Sequence, residues 1–133
     1  MVYYSVGVLC PVTLVMHLAS AVESKHGLLT RPCVVLSGGR EPNQWEAMPG
    51  HQFLHRMLPC SDLGGCWKSR ANKIGDSDAK DTDELCIYPE EIDYEYRNGE
   101  KLKIARCINL IKPQDIIRAI ETYYEGGILK YNN

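Results

Sequence analysis

The stretch Arg31-Pro-Cys-Val-Val-Leu-Ser-Gly-Gly-Arg-Glu-Pro-Asn-Gln-Trp-Glu46 decides the predicted fold. Its apolar part, Cys33 to Leu36, has the continuous hydrophobic character of a strand that is buried on both faces. Gly38 and Gly39 then turn the chain into a polar loop that contains Trp45. In an α/β protein, this is how a chain reaches the carboxyl edge of a parallel sheet, where ligands bind. The stretch therefore predicts a ligand-binding edge.

The residues before this stretch predict a strand and a helix. Val2 to Leu9 is β-branched and aromatic, which favours a strand, and Pro11 ends it. Thr13 is a plausible N-cap for a helix that continues to about Glu23. Residues at helical spacing predict its apolar face: Leu14, His17, Leu18, Ala21 and Val22. The resulting β-α-β order favours a parallel, right-handed unit.

The later part of the chain adds a third predicted strand and a second predicted helix. His51 to Met57 is a candidate short strand. Pro113 suits the first turn of a helix, and Gly126-Gly127 suits its carboxyl end. Its apolar stripe is predicted to comprise Ile116, Ile117, Ile120, Tyr123 and Tyr124. We expect this terminal helix to pack on the sheet.

Size and charge restrict the class of protein. The chain has 133 residues, which suits one domain, and its 15 basic and 17 acidic residues are nearly balanced. This balance argues against a nucleic-acid groove, and the longest apolar stretches are too short to span a membrane. No Lys or Arg precedes Lys25, so the basic region of a secretory signal is missing. We therefore predict a cytoplasmic protein without a transmembrane segment.

Four cysteines suggest a metal site. They are Cys60, Cys66, Cys86 and Cys107. Residues 58–88 cannot build a core from their own apolar side chains, and a tetrahedral thiolate site holding zinc or a single iron could replace that core. No C-x2-C pair is present, so ordinary reduced thiols remain the alternative. Cys10 and Cys33 lie in strand-like sequence and are interpreted as small core residues.

Three histidines and one tryptophan are further candidates for binding, each with a structural alternative. His17 lies near the start of a helix and could face a phosphate there, although a core histidine is the alternative. Trp45 could stack on a base or a sugar, or could simply cover the core. His51 and His55 alternate on a strand and could be ligands, but packed strand residues are the more common case.

Several segments together resemble a known enzyme family. Met16-His-Leu-Ala-Ser-Ala-Val22, followed by Pro32-Cys-Val-Val-Leu-Ser-Gly-Gly39, resembles the C-terminal domain of the ADP-heptose-dependent heptosyltransferases, glycosyltransferase family nine. The segments Gly38 to Glu46, Leu58 to Arg70 and Tyr123 to Gly127 are similar to a cysteine-rich branch of that family. The resemblance covers nearly the whole chain.

The resemblance implies a fold, a donor and a metal. The fold is a partial Rossmann-like α/β domain, the C-terminal half of a GT-B glycosyltransferase, with a cysteine-rich knuckle inserted at residues 58–107. The implied donor is an ADP-heptose-like nucleotide sugar, and the acceptor is lipopolysaccharide core or a protein hydroxyl. The implied donor-binding residues are Thr13, His17, Gly38, Gly39, Arg40 and Trp45. The autotransporter-modifying members carry a four-cysteine iron site, which implies iron or zinc at the four cysteines above.

The chain departs from the family pattern in two ways. The family has an acidic residue five positions before the histidine of its helix motif. That histidine corresponds to His17 here, and Val12 stands in the acidic position. A chain of 133 residues also cannot hold both GT-B domains, so we expect a missing N-terminal acceptor domain and assign no catalytic residue here. The alternative is a non-enzymatic, metal-stapled interaction module or an inactive truncated fragment. The oligomeric state is left open, and a homo-oligomer is compatible with the sequence.

Overall fold

The computed structural model describes residues 1–39, 47–56, 58, 89–95, 99 and 101–131. Five strands are present in these ranges: β1 (Val8–Pro11), β2 (Cys33–Gly38), β3 (His51–His55), β4 (Pro89–Glu95) and β5 (Lys101–Ala105). The α-helices are α1 (Leu14–Ala21), α2 (Arg106–Asn109) and α3 (Pro113–Glu125). A short 3-10 helix, Val2–Tyr4, precedes β1.

The first three strands form a parallel sheet in the order β1-β2-β3. The predicted parallel β-α-β unit is therefore confirmed, and β4 and β5 form a separate antiparallel pair. The prediction that Cys33 to Leu36 is buried on both faces is also correct in essence, since Cys33 and Val35 are fully buried and Val34 is 2% exposed. The structure is mixed α/β, as expected of a partial Rossmann-like fold.

Two hydrophobic clusters cover the two faces of this sheet. On one face α1 packs on the strands, and the buried residues are Cys10, Met16, Ala19, Cys33 and Val35. On the other face α3 packs on them, with Val34, Ala119 and Tyr123 buried. Cys10 and Cys33 are thus core residues, as predicted, and their sulfur atoms lie 4.0 Å apart.

The terminal helix is present as predicted, but Ile117 of its predicted apolar stripe is 54% exposed, because the face that packs on Val34 runs along Ala119, Ile120 and Tyr123. Asp115 accepts a hydrogen bond from the backbone N–H of Lys112 at 2.8 Å, which caps the first turn. Gly127 has φ of +72°, and the N–H of Ile128 bonds to the carbonyl oxygen of Tyr123 at 3.0 Å. This is the Schellman arrangement, for which glycine is preferred because it adopts positive φ at low cost.

Two details of the predicted N-terminal elements are wrong. Residues 2–4 form a 3-10 turn instead of a strand, and the hydroxyl of Ser5 donates to the carbonyl oxygen of Val2 at 2.8 Å. Such local hydrogen bonds offer the backbone an alternative to a strand. Helix α1 ends at Ala21, two residues before the predicted Glu23.

The predicted inward face of α1 is also wrong. Met16 and Ala19 are the buried residues, whereas Leu14 is 70% exposed and His17 is exposed. The helix has apolar residues on most of its circumference, so periodicity alone could not choose a face. Packing on β1 and β2 made the choice, and it turned His17 outward.

Candidate functional site

The carboxyl edge of the parallel sheet brings three of the six predicted donor-side residues, Thr13, Gly38 and Gly39, into one region. Pro11 at the end of β1 is in register with Leu36 of β2, so the following turns start side by side. Thr13 precedes α1, Gly38 is the last residue of the neighbouring strand β2, and Gly39 follows it. Arg40 and Trp45, also predicted donor-side residues, lie outside the described residues.

Thr13 occupies the N-cap position, but its hydroxyl does not cap the helix. Its backbone is extended, and the side-chain oxygen donates to the carbonyl oxygen of Pro11 at 3.3 Å instead. The first turn of α1 also contains no acidic residue. Because the first N–H groups of a helix have no intrahelical acceptor, this end of α1 can offer backbone donors to an anion.

Gly38 is required by its surroundings. Its φ is +57°, and a methyl group added there would lie 2.8 Å from Cδ1 of Ile108 and 3.0 Å from Sγ of Cys107. Glycine therefore permits both the left-handed turn and the close approach of α2 to the end of β2. The predicted glycine turn is confirmed in position, and its neighbour Gly39 is buried.

Cys107, the last of the four predicted metal ligands, lies beneath this turn. Its side chain is 8% exposed and belongs to α2, directly after β5. Cys60, Cys66 and Cys86 lie outside the described residues. Within the ranges that the structure describes, no group of three or more His, Cys, Asp or Glu side chains is arranged to hold a metal ion.

His17, on the exposed side of α1, influences a histidine of β3. It is close enough to His51 for electrostatic repulsion, and this repulsion adds to burial in lowering the pKa of His51. Burial is the larger of the two effects. It lowers the pKa because the charged imidazolium needs hydration that a half-buried ring cannot fully receive. A second contact comes from Ser20, whose Oγ lies 2.9 Å from Nε2 of His51.

This histidine–serine contact was not predicted from the sequence. The sequence predicts His51 as a packed strand residue or a ligand, and Ser20 carries no motif that would pair it with a residue 31 positions away. Nδ1 of His51 is buried and has no hydrogen-bond partner among the described residues. The contact joins the end of α1 to the start of β3, at the opposite end of the sheet from Gly38.

Arg31 is a second residue that sequence reasoning missed. Its side chain is 3% exposed and donates to four backbone carbonyl oxygens, those of Ser5, Ala19, Val22 and Glu23, at 2.8 to 3.3 Å. Three of these acceptors lie at or just beyond the carboxyl end of α1, where a positive charge is favoured. Arg31 is thus a structural cap that fixes the connection between α1 and β2.

Comparison with protein-family models, with curated protein sequences and with solved structures yields no significant match to this chain. No helix among the described residues is both long enough and apolar enough to cross a membrane.

Proposed function

We propose that this chain is the donor-nucleotide-binding part of a heptosyltransferase-like glycosyltransferase. One observation carries the proposal: the amino end of α1 and the Gly38 turn lie on adjacent strand ends at the carboxyl edge of a parallel sheet. Ligands of open α/β sheets bind in this position. The resemblance of the surrounding segments to the heptosyltransferases supplies the ligand class, an ADP-heptose-like nucleotide sugar.

The side chains at this edge have distinct roles in the proposal. The first N–H groups of α1 and the exposed hydroxyl of Thr13 donate hydrogen bonds to the diphosphate. Donors that are already in place stabilise the diphosphate as it leaves, which is the electrostatic part of glycosyl transfer. His17, on the exposed side of the same helix, adds a further donor in its protonated form.

The four-cysteine metal site belongs to the same proposal. Thiolate ligands suit zinc or iron, and Cys107 is buried directly against the turn at Gly38. A metal bound by Cys107 together with Cys60, Cys66 and Cys86 would hold the inserted segment, residues 58–107, beside the donor edge. Metal analysis of protein purified without added metal tests this part, and we expect a Cys107→Ser variant to lose one bound ion per chain.

Calorimetric titration with ADP tests the donor site. We expect saturable binding, weakened roughly fivefold to tenfold in Thr13→Val, because the loss corresponds to one hydrogen bond of about 1 kcal/mol. Thr13 does not cap α1, so this variant should keep its helix. The matched control is Thr122→Val, which removes an exposed hydroxyl from α3 on the other face of the sheet. No saturable binding at millimolar ADP, or equal effects of the two variants, would count against the proposal.

A further inference from the structure

The outer edge of β1 has unused backbone hydrogen-bonding groups. The N–H of Val8 bonds to the carbonyl oxygen of Pro32 at 2.9 Å, so Val8 directs its polar backbone groups toward β2. Because these directions alternate along a strand, Leu9 directs its N–H and C=O away from β2. Within the described part of the chain, no strand pairs with this edge of the sheet.

The side chains around this edge are apolar and exposed. Leu9 itself is 51% exposed, although its register partner Val34 on β2 is buried beneath α3. The N-terminal segment that contains this edge has further exposed apolar side chains, which include Tyr4, Val6, Leu14 and Val15. An unpaired strand edge with exposed apolar side chains is a template for pairing with another chain.

The charge pattern indicates what kind of partner fits. Residues 1–22 contain no Asp, Glu, Lys or Arg. Edge strands that remain unpaired usually carry a lysine or another charge that discourages association. A charged partner would bury its charges here without counter-ions, whereas a second copy of this chain brings an equally uncharged edge.

The backbone pattern of the edge is also self-complementary. When two copies of β1 approach in antiparallel orientation, the two Leu9 residues exchange a pair of N–H to C=O hydrogen bonds about a twofold axis. Pro11 occupies the next outward position and has no N–H, so the short ladder is centred on Leu9. We propose that two copies of this chain associate through antiparallel pairing of their β1 edges at Leu9.

Sedimentation equilibrium of the full chain tests this proposal. We expect a dimer, and we expect Leu9→Lys to raise its dissociation constant roughly tenfold or more while circular dichroism stays unchanged. The matched control is Ile117→Lys, which alters a residue of α3 that is 54% exposed. A wild-type protein that is monomeric at the highest concentration would overturn the proposal, as would equal weakening by both substitutions.

Cross-linking provides a second test that does not depend on the folding of a lysine variant. Paired Leu9 residues in this arrangement have Cα atoms about 5.5 Å apart. We therefore expect Leu9→Cys to give a covalent dimer with a short thiol-specific cross-linker, above the level seen with the wild type. Ile117→Cys should stay at that level. Equal yields from the two variants would overturn the proposal, and neither experiment depends on nucleotide binding.

Discussion

The hydroxyl of Tyr123 lies within hydrogen-bond distance of both backbone polar groups of Cys33. It accepts from the N–H at 3.3 Å and lies 3.0 Å from the carbonyl oxygen, with Gly50 providing a second carbonyl acceptor. This one side chain connects the terminal helix to the start of β2 and to the residue just before β3. Because both strands belong to the parallel sheet, Tyr123 helps to set the alignment of the sheet that carries the candidate donor edge.

We expect Tyr123→Phe to lower the free energy of unfolding by about 1–2 kcal/mol, because it removes the buried hydrogen bonds between this hydroxyl and the backbone of Cys33 and Gly50. Urea unfolding measures this directly. Tyr124→Phe is the control, since Tyr124 is partly exposed and its ring stacks on Tyr131 at a centroid distance of 4.2 Å. Equal unfolding midpoints for the wild type and Tyr123→Phe would contradict this role.

Arg31 should be one of the most sensitive positions in the chain. Arg31→Met removes the donor to four carbonyl oxygens around the end of α1, so we expect a loss of roughly 2–4 kcal/mol. The control is Arg118→Met, whose guanidinium is solvent-exposed and pairs with Glu121 and Glu125. Thermal unfolding followed by circular dichroism should separate the two variants, and similar melting temperatures would refute the capping role.

Gly38 should tolerate no side chain. Gly38→Ala combines a positive φ with close contacts to Ile108 and Cys107, so we expect a loss of about 2 kcal/mol or more. Gly27→Ala is the matched control, since Gly27 has φ of +67° and nothing within 4 Å of an added methyl group. Adding Ile108→Ala should restore part of the stability of Gly38→Ala. Equal losses at Gly38 and Gly27 would show that the contact with α2 is unimportant.

Acid should destabilise the protein through His51. Its pKa in the folded state is lowered, first by burial and then by repulsion from His17, so the unfolded state binds the proton more tightly. The contribution of His51 to the free energy of unfolding is therefore complete above about pH 6.5, the ordinary pKa of histidine. It is lost as the pH falls from that value toward the lower pKa of His51 in the folded state. Unfolding experiments across this range should show the loss, and His51→Gln should reduce it.

The His17→Gln variant separates the two causes of the His51 shift. Removal of the neighbouring positive charge should raise the pKa of His51 toward its ordinary value, while burial keeps it below that value. Nuclear magnetic resonance titration of the imidazole protons measures this. An unchanged pKa in His17→Gln would mean that the two rings do not interact.

The buried thiols of the sheet should react slowly with alkylating agents. Burial and the neighbouring Cys10 raise the pKa of Cys33 to about 12, and the thiolate is the reactive form. Mass spectrometry of native protein treated with iodoacetamide should find Cys10 and Cys33 unlabelled until the protein is unfolded. Rapid labelling of Cys33 in the native state would contradict its position in the core.

The parts of the fold that depend on local signals were predictable. Three elements have sequence patterns that are compatible with few local structures. They are the buried strand from Cys33, the glycine turn at Gly38 and the helix from Pro113 to Glu125. Continuous apolar residues require cover on both faces, and positive φ is cheap only for glycine. The same reasoning failed for α1, because a helix that is apolar almost all round has several faces that could be buried.

The sequence by itself determined the parallel β-α-β unit, the terminal helix and the position of the glycine turn at Gly38, because each depends on residues close together in the chain. Only the tertiary structure decided which face of α1 is buried, that Ser20 meets His51, and that Arg31 and Tyr123 reach distant backbone carbonyls. Those contacts join residues up to 90 positions apart. Their partners are chosen by how helices pack on a sheet, and no pattern within a short segment of sequence specifies that packing.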